Sequence, residues 1–215
     1  MLQDFPKLLG PGDKVGFADF ERWFSFSPVK NSIAEAVASH QKGVYAASPG
    51  AGEEAVYEAH RRLLGLAGVA IAPPAPPVEH LGLPLSLFPA VALSPRFALT
   101  VDQLMSNVPG GAAVSVSATS TLWLDGHVTL HSLALDGALV IRAAPGTRVH
   151  VRDCTVTNGG GTAEPVAEDP TDKFAIRGYT MKQRDGLVLD VTEPGEYELS
   201  GDGVLTRLGE LKSEL

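Results

Sequence analysis

The sequence predicts a two-part chain, in which a short α/β region precedes an all-β domain of the parallel β-helix type. Signals for capped helices concentrate before residue 70, whereas alternating apolar residues run from position 114 to position 156. Between these regions lies Pro73-Pro74-Ala75-Pro76-Pro77, which must be extended and is the best candidate for a linker. We therefore predict two domains, residues 1–76 and residues 77–215.

The first predicted element is a short buried strand in the aromatic run that begins at Trp23. It should end at Pro28, because proline cannot donate to a sheet. A helix should follow at once, since Ser32 and Glu35 have the spacing of a capping box before an apolar helix body. Lys30 is therefore expected just before a helix N-terminus.

A second helix is predicted from Gly52 to Leu66, where apolar residues recur near helical spacing on one face. Glu53 suits its positive first turn, and Gly68 can end it. Beyond the proline segment, the N-cap spacing of Thr100 predicts one more short helix, which runs to Asn107.

The rest of the second region reads as strands joined by tight turns. Apolar residues two positions apart put both side chains on one face of a sheet. These pairs are Val114/Val116, Leu122/Leu124, Val128/Leu130, Leu133/Leu135, Leu139/Ile141, Val149/Val151 and Cys154/Val156. An antiparallel sandwich and a parallel β-helix both fit this spacing. The regular recurrence of the pairs favours the β-helix, in which neighbouring coils bury a continuous core.

Composition excludes several functional classes. Seventeen basic residues against 25 acidic ones leave a net charge of −8, which argues against nucleic acid as a partner. The single cysteine, Cys154, permits neither an internal disulfide nor a multi-cysteine zinc site. No basic segment precedes an apolar run near Met1, and glycines and prolines interrupt the longest apolar stretch. We therefore expect a soluble cytoplasmic protein with no membrane contact.

Two motifs that imitate ligand sites are better explained structurally. Gly50-Ala51-Gly52 before a helix resembles a dinucleotide fingerprint, but Glu53 and Glu54 would repel the pyrophosphate. The four-residue spacing of His127/His131 and of His150/Cys154 suits a metal only on a helix. On strands such partners lie roughly 13 Å apart, so we predict no metal site.

The segment from Phe26 to Asn31 is the strongest candidate for function. Lys30 follows Pro28 closely and precedes a helix, so its ammonium and the helix amides could act on one phosphate group. Lysines are more often solvated surface groups, and the residues alone leave both interpretations open.

At this segment the chain resembles the C-terminal part of the UDP-sugar pyrophosphorylases, which are uridylyltransferases of broad sugar specificity. A Pro-hydrophobic-Lys motif also recurs in the related UDP-glucose and UDP-N-acetylhexosamine pyrophosphorylases, which makes Pro28-Val29-Lys30 the most specific match. The stretches that carry the resemblance are Lys14–Phe17, Ser27–Asn31, Gly52–Tyr57, Leu135–Leu139, Val156–Asn158 and Ile176–Tyr179.

The resemblance implies the end of a nucleotidyltransferase core followed by a β-helix-like domain. It implies that Lys30 is catalytic, that Lys30 and Asn31 bind substrate, and that Mg²⁺ accompanies UTP. The substrates would be UTP and sugar 1-phosphates. The family's glycine-rich UTP loop lies upstream of the matching part, so the chain is expected to be inactive alone and to need the missing N-terminal catalytic portion as its partner. The alternative is a non-catalytic β-solenoid module for docking or oligomerisation.

Overall fold

The computed structural model describes residues 7–167, 171–172 and 175–211, which form a mixed α/β fold with few helices and many strands. The helices are α1 Arg22–Ser25, α2 Ile33–Gln41, α3 Pro49–Leu66 and α4 Val101–Asn107. The strands are β1 Ala70–Ile71, β2 Val78–His80, β3 Leu83–Leu85, β4 Ala90–Leu93, β5 Val114–Val116, β6 Thr121–Asp125, β7 Val128–Leu130, β8 Leu133–Asp136, β9 Ala138–Ala143, β10 Thr147–Thr157, β11 Gly161–Pro165, β12 Tyr179–Gln183, β13 Leu187–Val191, β14 Gly195–Gly201 and β15 Val204–Gly209. A short 3₁₀ turn, Ala175–Arg177, leads into β12.

Two sheets, built largely from parallel strands, make up the strand-rich region. The first has the order β1-β5-β8-β10-β14-β15, with β7 also beside β10, and all of its pairings are parallel except that of β14 with β15. The second has the order β13-β9-β6-β4 and is parallel throughout. From β4 onward the chain repeatedly crosses from one sheet to the other. Two antiparallel hairpins, β2–β3 and β11–β12, stand apart from both sheets.

The predicted apolar pairs form the main core. Members of every pair are buried, including Leu122 and Leu124 in β6 and Leu139 and Ile141 in β9. Leu64 of α3 joins the same cluster, so this helix covers part of the strand region. The alternating pattern therefore located these strands correctly.

Tight turns between the strands depend on glycine at particular positions. Gly126 has φ +88°, a conformation that L side chains rarely adopt. A Cβ at this position would also overlap the carbonyl oxygen of Ala143. Glycine is thus required in the Asp125-Gly126 turn both by its backbone conformation and by the close approach of Ala143 at the end of β9.

The helices agree with the capping signals, with one correction. Ser32 and Glu35 form the predicted capping box of α2, and the side chain of Thr100 caps α4. However, α3 begins at Pro49 instead of Gly52. The Ser48 hydroxyl accepts a hydrogen bond from the Ala51 amide at 3.1 Å, and proline fits the first helical position because that position needs no donor.

The buried strand predicted from Trp23 to Pro28 is wrong. Arg22–Ser25 is a short helix, and Phe24 and Phe26 are exposed. No strand pairs with this segment in the part of the chain that the structure describes. The aromatic rings instead contact cations: the Arg62 guanidinium lies 5.3 Å from the centre of the Trp23 ring.

A second, smaller apolar cluster connects the N-terminal helices with the two hairpins. It contains Ala36, Ala46, Ala51, Leu83, Leu85, Leu87 and Tyr179. Residues on both sides of position 76 therefore pack together, while the domain boundary at that position stays a prediction. Within the described ranges, no helix has the length and apolar character needed to cross a bilayer.

Candidate functional site

The loop that carries Lys30 is held by its backbone. We call Ser27–Asn31 the lysine loop. The amides of Lys30 and Asn31 both donate to the carbonyl oxygen of Ala47, at 3.0 and 3.1 Å. The side-chain amide of Asn31 donates to the carbonyl oxygen of Ala46 at 2.8 Å. The position of the lysine backbone is therefore set by the buried corner at Ala46 and Ala47.

Lys30 itself is exposed, and within the described ranges its ammonium has no ion-pair partner. The neighbouring N-terminus of α2 is partly occupied by the chain's own side chains. The Glu35 carboxylate accepts hydrogen bonds from the Ser32 amide at 3.0 Å and from the Ser32 hydroxyl at 2.9 Å. These hydrogen bonds lower the pKa of Glu35. An incoming phosphate would thus meet the lysine and an α2 N-terminus that already carries a carboxylate.

Helix α3 lies directly against the lysine loop through glycine. A Cβ on Gly52 would overlap the Val29 side chain, so any larger residue at this position requires Val29 to move. Gly50 is equally constrained, because its Cβ would lie 2.7 Å from Leu85 Cδ1 and 3.0 Å from the Arg177 carbonyl oxygen. The glycines that imitate a dinucleotide fingerprint therefore serve close packing.

The first half of α3 also carries a largely buried ion pair, which reasoning from the sequence missed. Arg177 Nη1 lies 2.6 Å from Glu53 Oε2, and the Tyr57 hydroxyl donates to Glu53 Oε1 at 2.5 Å. Arg177 Nε donates to the Tyr179 carbonyl oxygen at 3.1 Å, and its guanidinium lies 4.6 Å from the centre of the Tyr179 ring. Burial, followed by the charge of Glu53, raises the pKa of Tyr57 and of Tyr179.

These contacts bring together three of the stretches that carry the family resemblance, namely Ser27–Asn31, Gly52–Tyr57 and Ile176–Tyr179. The sequence alone did not indicate that Glu53 and Arg177 pair, because 124 positions separate them. The only available signal was that both residues belong to matched stretches.

Two other matched stretches meet in the strand region around Asn158. Its Oδ1 accepts hydrogen bonds from the amides of Ala138 and Gly160, at 2.7 and 3.0 Å, while its Nδ2 donates to the Ala138 carbonyl oxygen at 3.0 Å. Gly137 must be glycine, because its Cβ would overlap the Asn158 side chain. These residues therefore have a structural role.

Asn158 also lines a pocket of about 410 Å³ beside the β2–β3 hairpin. Its apolar wall includes Leu85, Leu87 and Phe88, and its polar rim includes exposed Asp136 and Arg184. A carboxylate and a guanidinium together give this rim no preference for anions. Lys30 does not line this pocket, so the pocket is separate from the lysine loop.

Of the remaining motif residues, two histidines contact one another and the cysteine is buried in the strand region. His131 Nε2 lies 3.4 Å from His150 Nδ1, and His150 Nε2 lies 3.0 Å from a carboxylate oxygen of Glu196. Within the described ranges, no three histidine, cysteine or acidic residues are grouped so that they could hold a metal ion. Cys154 is buried, and burial raises the pKa of its thiol, which keeps it protonated and unreactive.

Comparison with known proteins confirms the resemblance. The chain is 30% identical over 203 residues to a UDP-sugar pyrophosphorylase of Arabidopsis thaliana, a match that covers 93% of this chain and 32% of the relative. Proteins of the same name from Oryza sativa subsp. indica and subsp. japonica are each 32% identical over 194 residues, or 88% of this chain. The chain spans about a third of the length of these curated relatives. No family model matches it.

Proposed function

We propose that this chain contributes a phosphate-binding lysine to a UDP-sugar pyrophosphorylase. In this reaction an oxygen of the sugar 1-phosphate attacks the α-phosphorus of UTP, and pyrophosphate leaves. Negative charge is spread over the phosphoryl oxygens during transfer, and the ammonium of Lys30 would stabilise it. The similarity over 88% to 93% of the chain supports this assignment.

The observation that carries the proposal is the geometry of the lysine loop. A surface lysine usually samples many positions, whereas the backbone on both sides of this side chain is tied to Ala46 and Ala47. The ammonium thus remains free to bind an anion, while the backbone from which its side chain extends is fixed. The fixed backbone lowers the entropic cost of placing the ammonium against a phosphate. Asn31 would bind substrate through its side-chain carbonyl oxygen, while its amide group holds the loop.

The rest of the site would come from a UTP-binding portion outside this chain. Phe17 and Phe20 are 97% and 60% exposed, and Phe24 and Phe26 are also exposed. Such an aromatic surface beside the lysine loop would suit an interface with that portion. A single lysine cannot bind and orient UTP, so we expect the chain alone to be inactive. Mg²⁺ would be bound mainly by the phosphates of UTP, as is usual for this ion at nucleotide sites.

We also propose a β-helix for the strand region, with residues 1–76 as the end of the catalytic domain and 77–215 as the C-terminal domain. The repeated crossing between two parallel sheets supports coils that each contribute one strand to each sheet.

A reduced, buried cysteine is compatible with a cytoplasmic location.

An assay of pyrophosphate release from UTP and glucose 1-phosphate with Mg²⁺ tests the function. The chain alone should be inactive. When it is joined to the UTP-binding portion, which is either encoded upstream of Met1 or taken from the Arabidopsis relative, it should be active. Lys30→Ala should then lower kcat roughly 10²- to 10³-fold, because a positioned charge at the transferring phosphate is lost. Lys42→Ala removes another exposed lysine near α2 and serves as the matched control. Equal activity of the two variants would contradict the proposal.

A second candidate function is a non-catalytic docking or oligomerisation module, and one surface favours it. Trp123 and Val188 align with Val140 across the second sheet and are 42% and 41% exposed. Val140 between them is buried, so the row is only partly exposed, but its two ends can seat a second copy of the chain. Light scattering after size exclusion separates the candidates: a stable dimer that Trp123→Glu dissociates, with no activity in the joined protein, would favour the module.

A further inference from the structure

We propose that Arg177 is a positioning residue for Lys30, acting through Glu53 and the first turns of α3. This inference rests on the proposed function for the importance of Lys30. The mechanical link from Arg177 to the lysine loop depends on the contacts alone. This link connects the 3₁₀ turn before β12 to the lysine loop, which lies much earlier in the chain.

The first link joins the lysine loop to the start of α3. The amides of Lys30 and Asn31 donate to Ala47, which is buried and has a left-handed backbone conformation with φ +53°. Ser48, the next residue, caps α3 through its hydroxyl. Any shift of the start of α3 therefore moves the carbonyl oxygen that holds the lysine backbone.

The second link is direct packing between α3 and the loop. Gly52 leaves no gap between the helix backbone and the Val29 side chain, which is adjacent to Lys30 in sequence. Val29 is β-branched and has few rotamers, so a displacement of α3 passes through this short side chain to the loop with little rearrangement.

The third link fixes the helix start itself. Glu53 is held from two sides, by Arg177 at 2.6 Å and by Tyr57 at 2.5 Å, and the arginine is in turn fixed by the carbonyl oxygen and the ring of Tyr179. Both partners of the ion pair are largely buried. Removal of Arg177 takes the counter-charge away from the Glu53 carboxylate, which favours movement of this helix turn toward water.

Amide hydrogen exchange of the chain tests this link without any substrate. In Arg177→Met, exchange at the Lys30 and Asn31 amides should speed up roughly 10-fold relative to the amides of β14. The matched control is Arg142→Met, which breaks an ion pair of 2.8 Å with Asp190 in the second sheet and should leave the lysine loop unchanged. If Arg177→Met does not fold, Glu53→Gln decides, because it removes the charge and keeps the side-chain size.

Unchanged exchange at the lysine loop, or an equal rise in β14, would overturn the proposal. In the joined active protein, Arg177→Met should lower kcat but have no further effect when Lys30 is already alanine, since both changes act through one ammonium. A merely structural arginine would lower kcat in both backgrounds, which would also overturn it. A response in exchange together with an active Lys30→Ala enzyme would instead refute the proposed function and leave the mechanical link intact.

Discussion

His60 in α3 is held by the backbone of β4. Its Nδ1 lies 3.1 Å from the carbonyl oxygen of Val91 and 3.3 Å from the amide of Leu93. Burial lowers the pKa of this imidazole, and the hydrogen bond with Val91 offsets the effect only in part. Protonation would also remove the lone pair that the Leu93 amide can use as its acceptor. The folded protein therefore favours the neutral ring.

The direction of the pH dependence follows from this shift. The unfolded chain has the ordinary histidine pKa of about 6.5 and binds a proton at a higher pH than the folded chain does. The free energy of unfolding should thus fall as the pH is lowered from about 6.5 to the depressed pKa of folded His60. His60→Gln should flatten this decline in urea-unfolding curves taken between pH 7 and pH 5. His40→Gln, at an exposed position in α2, is the control. If the free energy of unfolding depends on pH with the same slope in both variants, His60 does not contribute to this dependence.

At the level of elements, Asn158 joins the end of β10 to the start of β9. Asn158→Ala removes three hydrogen bonds and leaves the amide of Ala138 without its acceptor. With about 1 kcal/mol for each hydrogen bond, we expect a loss of roughly 2–3 kcal/mol in the free energy of unfolding. Urea denaturation measures this loss. Thr157→Ala, at the exposed neighbouring position, should change stability by less than about 0.5 kcal/mol, and equal effects would contradict the assigned role.

Elements whose signals are local were predictable from the sequence. The capping box of α2 and the alternating pairs of β6 and β9 rely on neighbours two to four positions away, and the structure confirms them. The aromatic run after Arg22 misled the prediction because strand propensity has no effect without a partner strand. The start of α3 was missed because Ser48-Pro49 carries a better N-terminal signal than Gly52 does.

The candidate site was predictable only in part. Lys30 was singled out by a local motif, and its predicted place just before α2 agrees with the structure. The support for its loop depends on Ala46, Ala47 and the pairing of Glu53 with Arg177, which the fold alone brings together. No spacing rule reaches such distant partners, so the positioning elements of the site could not be read from the chain.

On the scale of the whole molecule, the net charge and the exposed aromatic surface act in opposite directions. Each copy carries a formal charge of −8, which keeps copies apart, while Phe17, Phe20 and Phe26 offer apolar area for association. Salt screens the repulsion, since the Debye length shrinks from about 30 Å at 0.01 M to about 3 Å at 1 M. Apolar attraction is not screened in this way.

We therefore expect the isolated chain to self-associate more strongly as salt concentration rises, with the aromatic segment as the contact. Light scattering at about 0.01 M and about 1 M salt measures the change across this range of screening. Phe20→Ser together with Phe26→Ser should abolish the salt-induced association without lowering the free energy of unfolding, because both rings are already exposed. Association that weakens with salt would mean that charged pairs hold the copies together. If the joined UTP-binding portion covers this surface, the same salt increase should leave the joined protein monomeric.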